Sequence, residues 1–299
     1  MRANSEGVIW SLLKRALRWV GGGLGLAGVV FVVARLLEHA DKLDFSNFGT
    51  IAWAGIGGFA VMYGLANIFL ASAWWHILRS FDASVSRLWT LQIYGTSQLA
   101  KYVPGNVLHL AARQGLGLAA GLSGGMLAKS LLWEIILLSV TAAVFGVLAL
   151  PLLWRNGSIL LSVLTFVSVM FLLAVGVRRW FGKELAKALA CQAGFLLMSG
   201  TVFVGILGVV VGKESMKVEL LLVYVGAYLL AWLAGLLTPG APAGAGVREM
   251  AVVFLLGGSV AEADLLFAVA MSRAITIAGD LGFSAWALLA RRGRLDAQI

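Results

Sequence analysis

Unbroken apolar runs of helix length decide what this chain can fold into. They lie at about 16–37, 51–77, 126–150, 157–177, 188–211 and 263–289. In a helix, about 20 apolar residues cross the ~30 Å hydrocarbon core of a bilayer. Backbone inside lipid finds no water, so only helices or closed barrels can span. A barrel would show ten-residue stretches of alternating polarity, and these runs do not alternate. Charged residues make up 12% of the 299, against roughly 25% in soluble domains. That is too few to shield so apolar a core from water. The expected fold is an all-α polytopic membrane protein, residues 1–299 forming a single membrane domain. The basic start (Lys14, Arg15, Arg18) and the run to Leu37 are read as an uncleaved first helix, since the run is long and lacks a convincing small-x-small cleavage site.

Two further apolar stretches, 90–122 and 218–258, are each broken near the centre by a Pro-Gly pair, Pro104-Gly105 and Pro239-Gly240. Proline removes a backbone donor and clashes with the preceding turn, and glycine admits a sharp reversal. Each stretch is therefore read as a re-entrant hairpin of two half-helices, added to six spanning helices. Lysine and arginine counts orient the layout. With the N-terminus in the cytoplasm, 14 of the 23 fall on that side and 5 on the other. That bias places both termini inside, and the expected location is the bacterial cytoplasmic (inner) membrane. Arg113 follows Pro104 by nine residues and Arg248 follows Pro239 by the same nine. Each hairpin is flanked by spanning helices and enters from an opposite side. This is the pattern of an inverted repeat, about 51–150 and 188–289, as in many secondary transporters.

The layout leaves four cations without an aqueous loop: Lys101, Arg113, Arg248 and Arg273. Each costs roughly 2.5–3.5 kcal/mol at a helix centre. Four uncompensated ones would consume about 10–14 kcal/mol, comparable with the whole stability of a typical protein. Three acids lie at similar depth, Glu134, Glu249 and Asp280. Two readings stay open: the charges pair and lock the bundle, or the surplus cation awaits an anionic ligand. Half-helices starting near Asn106 and Ala243 would point their positive ends at such a ligand. Arginine's planar fork suits phosphate oxygens. His109 lies one turn before Arg113, and Gln98 and Tyr102 add polar groups. The candidate binding set is Lys101, Pro104, Gly105, Asn106, His109, Arg113, Glu134, Pro239, Gly240, Arg248, Glu249 and Arg273. Loss of translocation in folded Arg113→Ala or Arg248→Ala is expected.

No cofactor or metal is expected. His39, His76 and His109 are far apart, Cys191 stands alone in an apolar run, and the glycines of 240–246 lack the Lys-Ser/Thr ending of a phosphate loop. The net charge of +9 gathers at helix ends and reads as topology and lipid contact, so no nucleic-acid partner is expected. Tryptophans such as Trp19, Trp74, Trp75, Trp154 and Trp180 read as an interfacial belt. No poised nucleophile or acid–base pair stands out, and the chain is not read as an enzyme.

The run Gln98-Leu-Ala-Lys-Tyr-Val-Pro-Gly-Asn106, continuing to Arg113, resembles the lysylphosphatidylglycerol synthase transmembrane family. So do Glu134 and the stretch 239–249, Pro-Gly-x-x-x-Gly-x-Gly-Val-Arg-Glu. Relatives often carry arginine after that glutamate, where this chain has Ile135. The resemblance implies a stand-alone, flippase-like member without the soluble aminoacyl transferase. Its implied partner is a membrane lipid, a phospholipid or polyprenyl-phosphate-linked glycolipid, with a biosynthetic enzyme as a further partner. The expected function is translocation of such a lipid between leaflets. The competing readings are a carrier of a small soluble anion and a non-transporting accessory subunit.

Overall fold

The computed structural model describes residues 49–102, 108–154, 157–212, 217–238 and 241–296. All regular structure among them is helical. In chain order the helices longer than one turn are α1 (Thr50–Arg79), α2 (Arg87–Gln98), α3 (Leu108–Ala119), α4 (Gly124–Gly146), α5 (Ile159–Phe181), α6 (Lys183–Val211), α7 (Leu221–Leu237), α8 (Val247–Leu256) and α9 (Glu262–Asp296). Short 3₁₀ turns extend α2 over Leu99–Tyr102 and α4 over Val147–Ala149. Serines start three of the helices. Ser86, Ser123 and Ser158 each accept the N–H of the residue three positions on, which satisfies a donor that no helical carbonyl can reach. A single residue, Gly182 at φ +95°, separates α5 from α6. That left-handed backbone is open to glycine without a Cβ penalty.

Six helices are long and apolar enough to cross a membrane: Ala52–Arg79, Gly124–Leu153, Ile159–Phe181, Lys183–Val211, Val218–Leu237 and Glu262–Ala290. Five coincide with expected runs, and the expected helix 16–37 lies outside the described residues. The sixth is a difference. The Pro-Gly break makes Val218–Leu237 one arm of an expected hairpin, yet its 20 residues suffice to cross alone. The two arms of the second broken stretch are therefore unequal, because the Pro-Gly pair stands after a full-length apolar run. The first stretch divides evenly into α2 and α3, of 12 residues each. The order long helix, broken pair, long helix occurs twice, as α1–α4 and α6–α9, with α5 between.

The core gathers where α1, α6 and α9 pack on one another and α4 and α7 close the other side. At the α1–α9 crossing a Cβ on Gly279 would stand 2.7 Å from the Ala60 carbonyl oxygen and 2.8 Å from the Gly64 nitrogen. Bare glycine lets the two backbones touch, as small residues do in membrane bundles. Tyr228 of α7 stacks on Phe203 of α6, ring centres 4.5 Å apart. Phe195 meets Tyr63 and Trp232 edge-on. Peripheral α5 buries Ser162 and Val177 and exposes Leu160, Leu164, Phe171 and Leu172, the outward-apolar face expected against lipid.

Candidate functional site

The polar groups that the apolar runs carry inward collect at three places. The first joins α3 to α4. Arg113 Nη1 donates to Glu134 Oε1 at 3.0 Å, and Arg113 Nη2 donates to Glu134 Oε2, a two-pronged match of fork to carboxylate. Tyr94 of α2 donates its hydroxyl to the same carboxylate at 3.2 Å. The guanidinium lies 4.9 Å from the Trp74 ring centre and 4.5 Å from that of Tyr94, so two aromatic faces replace the water it gave up. Trp74 and Arg113 are almost wholly buried. Trp74 therefore belongs to the core instead of an interfacial belt, which exposed Trp154 and Trp180 still fit. Gln192 of α6 donates to the Glu134 carbonyl at 3.1 Å and ties the pair to the next helix. Here the charges lock the bundle.

The second place is Asp280 on α9. Lys101 Nζ approaches its Oδ2 at 2.6 Å, and Tyr102 donates its hydroxyl to the same oxygen. Asn67 of α1 donates to Oδ1 at 3.0 Å and accepts from Gln98 at 2.9 Å. Lys101 and Tyr102 arrive through the 3₁₀ turn after α2, so the end of the first arm of the first broken pair is pinned to α9 and α1. Asn67 escaped the sequence reading, although an amide inside the apolar run 51–77 was a legible signal. Tyr102 and Gln98, read as supporting groups, hold the carboxylate and its amide partner.

The third place is the start of α8. Ala243 (φ +48°), Gly244 (φ +69°) and Gly246 (φ +83°) form a tight turn, and the helix begins at Val247. That is four residues later than expected, because left-handed backbone cannot continue a helix. Arg248 is thereby the second residue of α8. Glu249 reaches back to accept the Gly246 N–H at 2.6 Å, as the third residue of a helix often does. Its other oxygen accepts from Arg273 Nε of α9 at 2.5 Å. Arg273 Nη2 also donates to the Ala243 carbonyl at 3.1 Å.

Arg248 is left over. Its Nε stands 3.9 Å from Glu249 Oε1, beyond hydrogen-bond length and at an oxygen already bonded to Arg273. Its guanidinium lies 5.3 Å from the Tyr228 ring centre. Nη2 is buried without a hydrogen-bond partner among the described residues, and the residue is 5% exposed. The 3₁₀ turn carrying Lys101 packs against the turn Pro242–Gly244. Lys101 thus sits in the field of Arg248 and Arg273. Three cations, Lys101, Arg248 and Arg273, face two carboxylates, Asp280 and Glu249, with one positive charge in excess.

The structure thus brings Lys101, Arg248, Glu249 and Arg273 together and sets Arg113 and Glu134 apart in their own pair. His109 keeps a buried Nδ1 without a partner among the described residues. Pro104, Gly105, Asn106, Pro239 and Gly240 lie outside the described residues. No protein-family model, no curated protein and no solved structure matches the chain. The resemblance to the lysylphosphatidylglycerol synthase transmembrane family therefore rests on the motif residues named above.

Proposed function

We propose that this multi-pass membrane protein carries an anionic lipid, a phospholipid or a polyprenyl-phosphate-linked glycolipid, between the leaflets of a bacterial cytoplasmic membrane. The headgroup phosphate is held by Arg248, with Arg273 and Lys101 adding positive field. Arg248 carries the reading: among the described residues it is a buried guanidinium that bonds no carboxylate closely, with Glu249 at 3.9 Å and Nη2 without a partner, whereas Lys101, Arg113 and Arg273 each hold one. A cation left uncompensated at that depth is costly, and an anion supplied from outside the chain removes the cost. In this reading α2–α3 enters from the cytoplasm and α7–α8 from the opposite face, α7 being a long arm that runs the depth of the bilayer and α8 turning back toward the face of entry, as an inverted repeat with both termini cytoplasmic. The lysine and arginine bias and the equal Pro-to-Arg spacings support that arrangement. No bond is made or broken. The chain lends binding energy to the headgroup while the tails stay in lipid.

The test is reconstitution into liposomes, following leaflet accessibility of fluorescent phospholipids and polyprenyl-phosphate sugars. Wild type is expected to move at least one of them, and Arg248→Ala none, while remaining monodisperse in detergent. Movement at the wild-type rate by Arg248→Ala would overturn the headgroup site. Uptake of a small soluble anion without lipid movement would replace the lipid reading with that of a solute carrier.

A further inference from the structure

Among the described residues, each charge near Arg248 is hydrogen-bonded to a partner, whereas Arg248 meets its one carboxylate, Glu249, only at 3.9 Å. Asp280 takes Lys101, Tyr102 and Asn67. Both oxygens of Glu249 are occupied, one by the Gly246 N–H and one by Arg273. Arg273 spends its remaining described bond on the Ala243 carbonyl. With His109 counted as neutral, the formal sum of Lys101, Arg248, Arg273, Asp280 and Glu249 is a single positive charge. The phenols nearby, Tyr63, Tyr102 and Tyr228, add hydroxyl dipoles and ring faces but no charge. The groups offered to a ligand are therefore one guanidinium and one unit of charge.

From this we infer that the site selects for ionic valence: it takes a singly charged oxyanion, the phosphodiester of a lipid headgroup, over a doubly charged phosphomonoester. The inference rests on the carrier reading and narrows its substrate. A diester carries one negative charge and leaves the buried cluster neutral. A monoester carries close to two charges above its second pKa near 6, and leaves one negative charge uncompensated beside Asp280 and Glu249. In low dielectric a residual charge is as costly when it is negative as when it is positive. Nη2 of Arg248 is a donor without a partner among the described residues, and the planar guanidinium suits the unesterified oxygens of a diester. Phosphatidylglycerol and a polyprenyl-phospho-sugar both meet this description. Phosphatidic acid and a bare polyprenyl phosphate do not. Between the two diesters the chemistry is shared, and their acyl and prenyl tails separate them.

The experiment compares, in liposomes at pH 8, the movement of labelled phosphatidylglycerol, a polyprenyl-phospho-glucose and phosphatidic acid by the same wild-type preparation. At least one diester is expected to move about tenfold or more faster than phosphatidic acid, a difference of ~1.4 kcal/mol in the rate-determining free energy. Equal rates, or a preference for phosphatidic acid, would overturn the valence rule and leave the carrier reading standing. Binding of the same labelled lipids in mixed micelles is measured in parallel by fluorescence polarisation. Selective diester binding with no movement would keep the rule and sink the carrier reading. The charge itself is tested with Asp280→Asn, which keeps a side-chain oxygen for Asn67 and raises the cluster to two positive charges. The preference for diester over phosphatidic acid is expected to fall at least tenfold in that variant. An unchanged preference in a folded Asp280→Asn would refute the charge count. Should this variant not fold, the wild-type ratio decides alone.

Discussion

The pair formed by Arg113 and Glu134 makes the sharpest energetic prediction. Glu134→Ala strips the acceptors from three donors at once: Nη1 and Nη2 of Arg113 and the Tyr94 hydroxyl. Arg113 is 1% exposed, so water cannot replace the carboxylate. Breaking a buried ion pair from one side costs ~3–5 kcal/mol. The rings of Trp74 and Tyr94 hold the orphaned guanidinium by about 2 kcal/mol or more each when desolvated, but they already do so in wild type and offset nothing new. Arg113→Ala leaves Glu134 with Tyr94 alone and is expected in the same range. The double substitution Arg113→Met with Glu134→Leu removes both charges and keeps much of the volume. Such replacements range from neutral to ~1–4 kcal/mol stabilising. The double variant should thus be more stable than either single one, with a coupling energy of at least about 2 kcal/mol. Unfolding of the purified protein by increasing sodium dodecyl sulfate in mixed micelles, read by tryptophan fluorescence, measures all four corners of this cycle. Single variants that cost under about 1 kcal/mol, or a double whose loss is the sum of the singles, would refute the lock.

Other perturbations follow the same logic. Gly279→Ala forces a methyl onto backbone atoms of Ala60 and Gly64 at 2.7–2.8 Å and should cost ~1–3 kcal/mol in the same unfolding assay; Gly282→Ala, with nothing within 4 Å, should instead stabilise by up to about 1 kcal/mol through helix propensity. Gly244→Ala meets both a φ of +69° and a Cβ placed 2.7 Å from the Gly235 Cα. It should destabilise by more than the ~1–2 kcal/mol of left-handed backbone alone, whereas Gly121→Ala, at φ +86° in open space, should lose only that amount. Tyr102→Phe removes one of three donors to Asp280, and a loss of ~0.5–1.5 kcal/mol is expected.

Much of the fold is legible in the chain because the solvent is lipid. Span length and apolar composition are one-dimensional properties, and they located α1, α4, α5, α6 and α9. Partner choice is not one-dimensional. Lys101 and Asp280 are 179 positions apart, and only the packing of the turn after α2 against α9 joins them. The Pro-Gly pair at 239–240 marks a break but carries no ruler for the helix before it. The break therefore implies a half-length arm for α7, although Val218–Leu237 is long enough to cross alone. Trp74 misled for a related reason: tryptophan prefers interfaces on average, and nothing local reveals that a distant arginine will lie across its face.

The charge ledger fared differently, since a sum can be read without knowing the pairs. Four cations against three acids required one cation to stay unmatched, whatever the geometry. Arg248 and Glu249 are neighbours in the chain, and helix geometry explains why they approach only to 3.9 Å without a hydrogen bond. Successive residues on a helix point about 100° apart, so Glu249 turns back to the Gly246 N–H and sideways to Arg273, while Arg248 faces Tyr228. The late start of α8 strengthens this. Had the helix begun at Ala243, Glu249 would sit two turns inside it, with no free N–H to cap. The left-handed turn at Ala243–Gly246 makes Glu249 the capping residue, draws its carboxylate away from its neighbour, and so leaves Arg248, of the four cations, without a hydrogen-bonded carboxylate among the described residues.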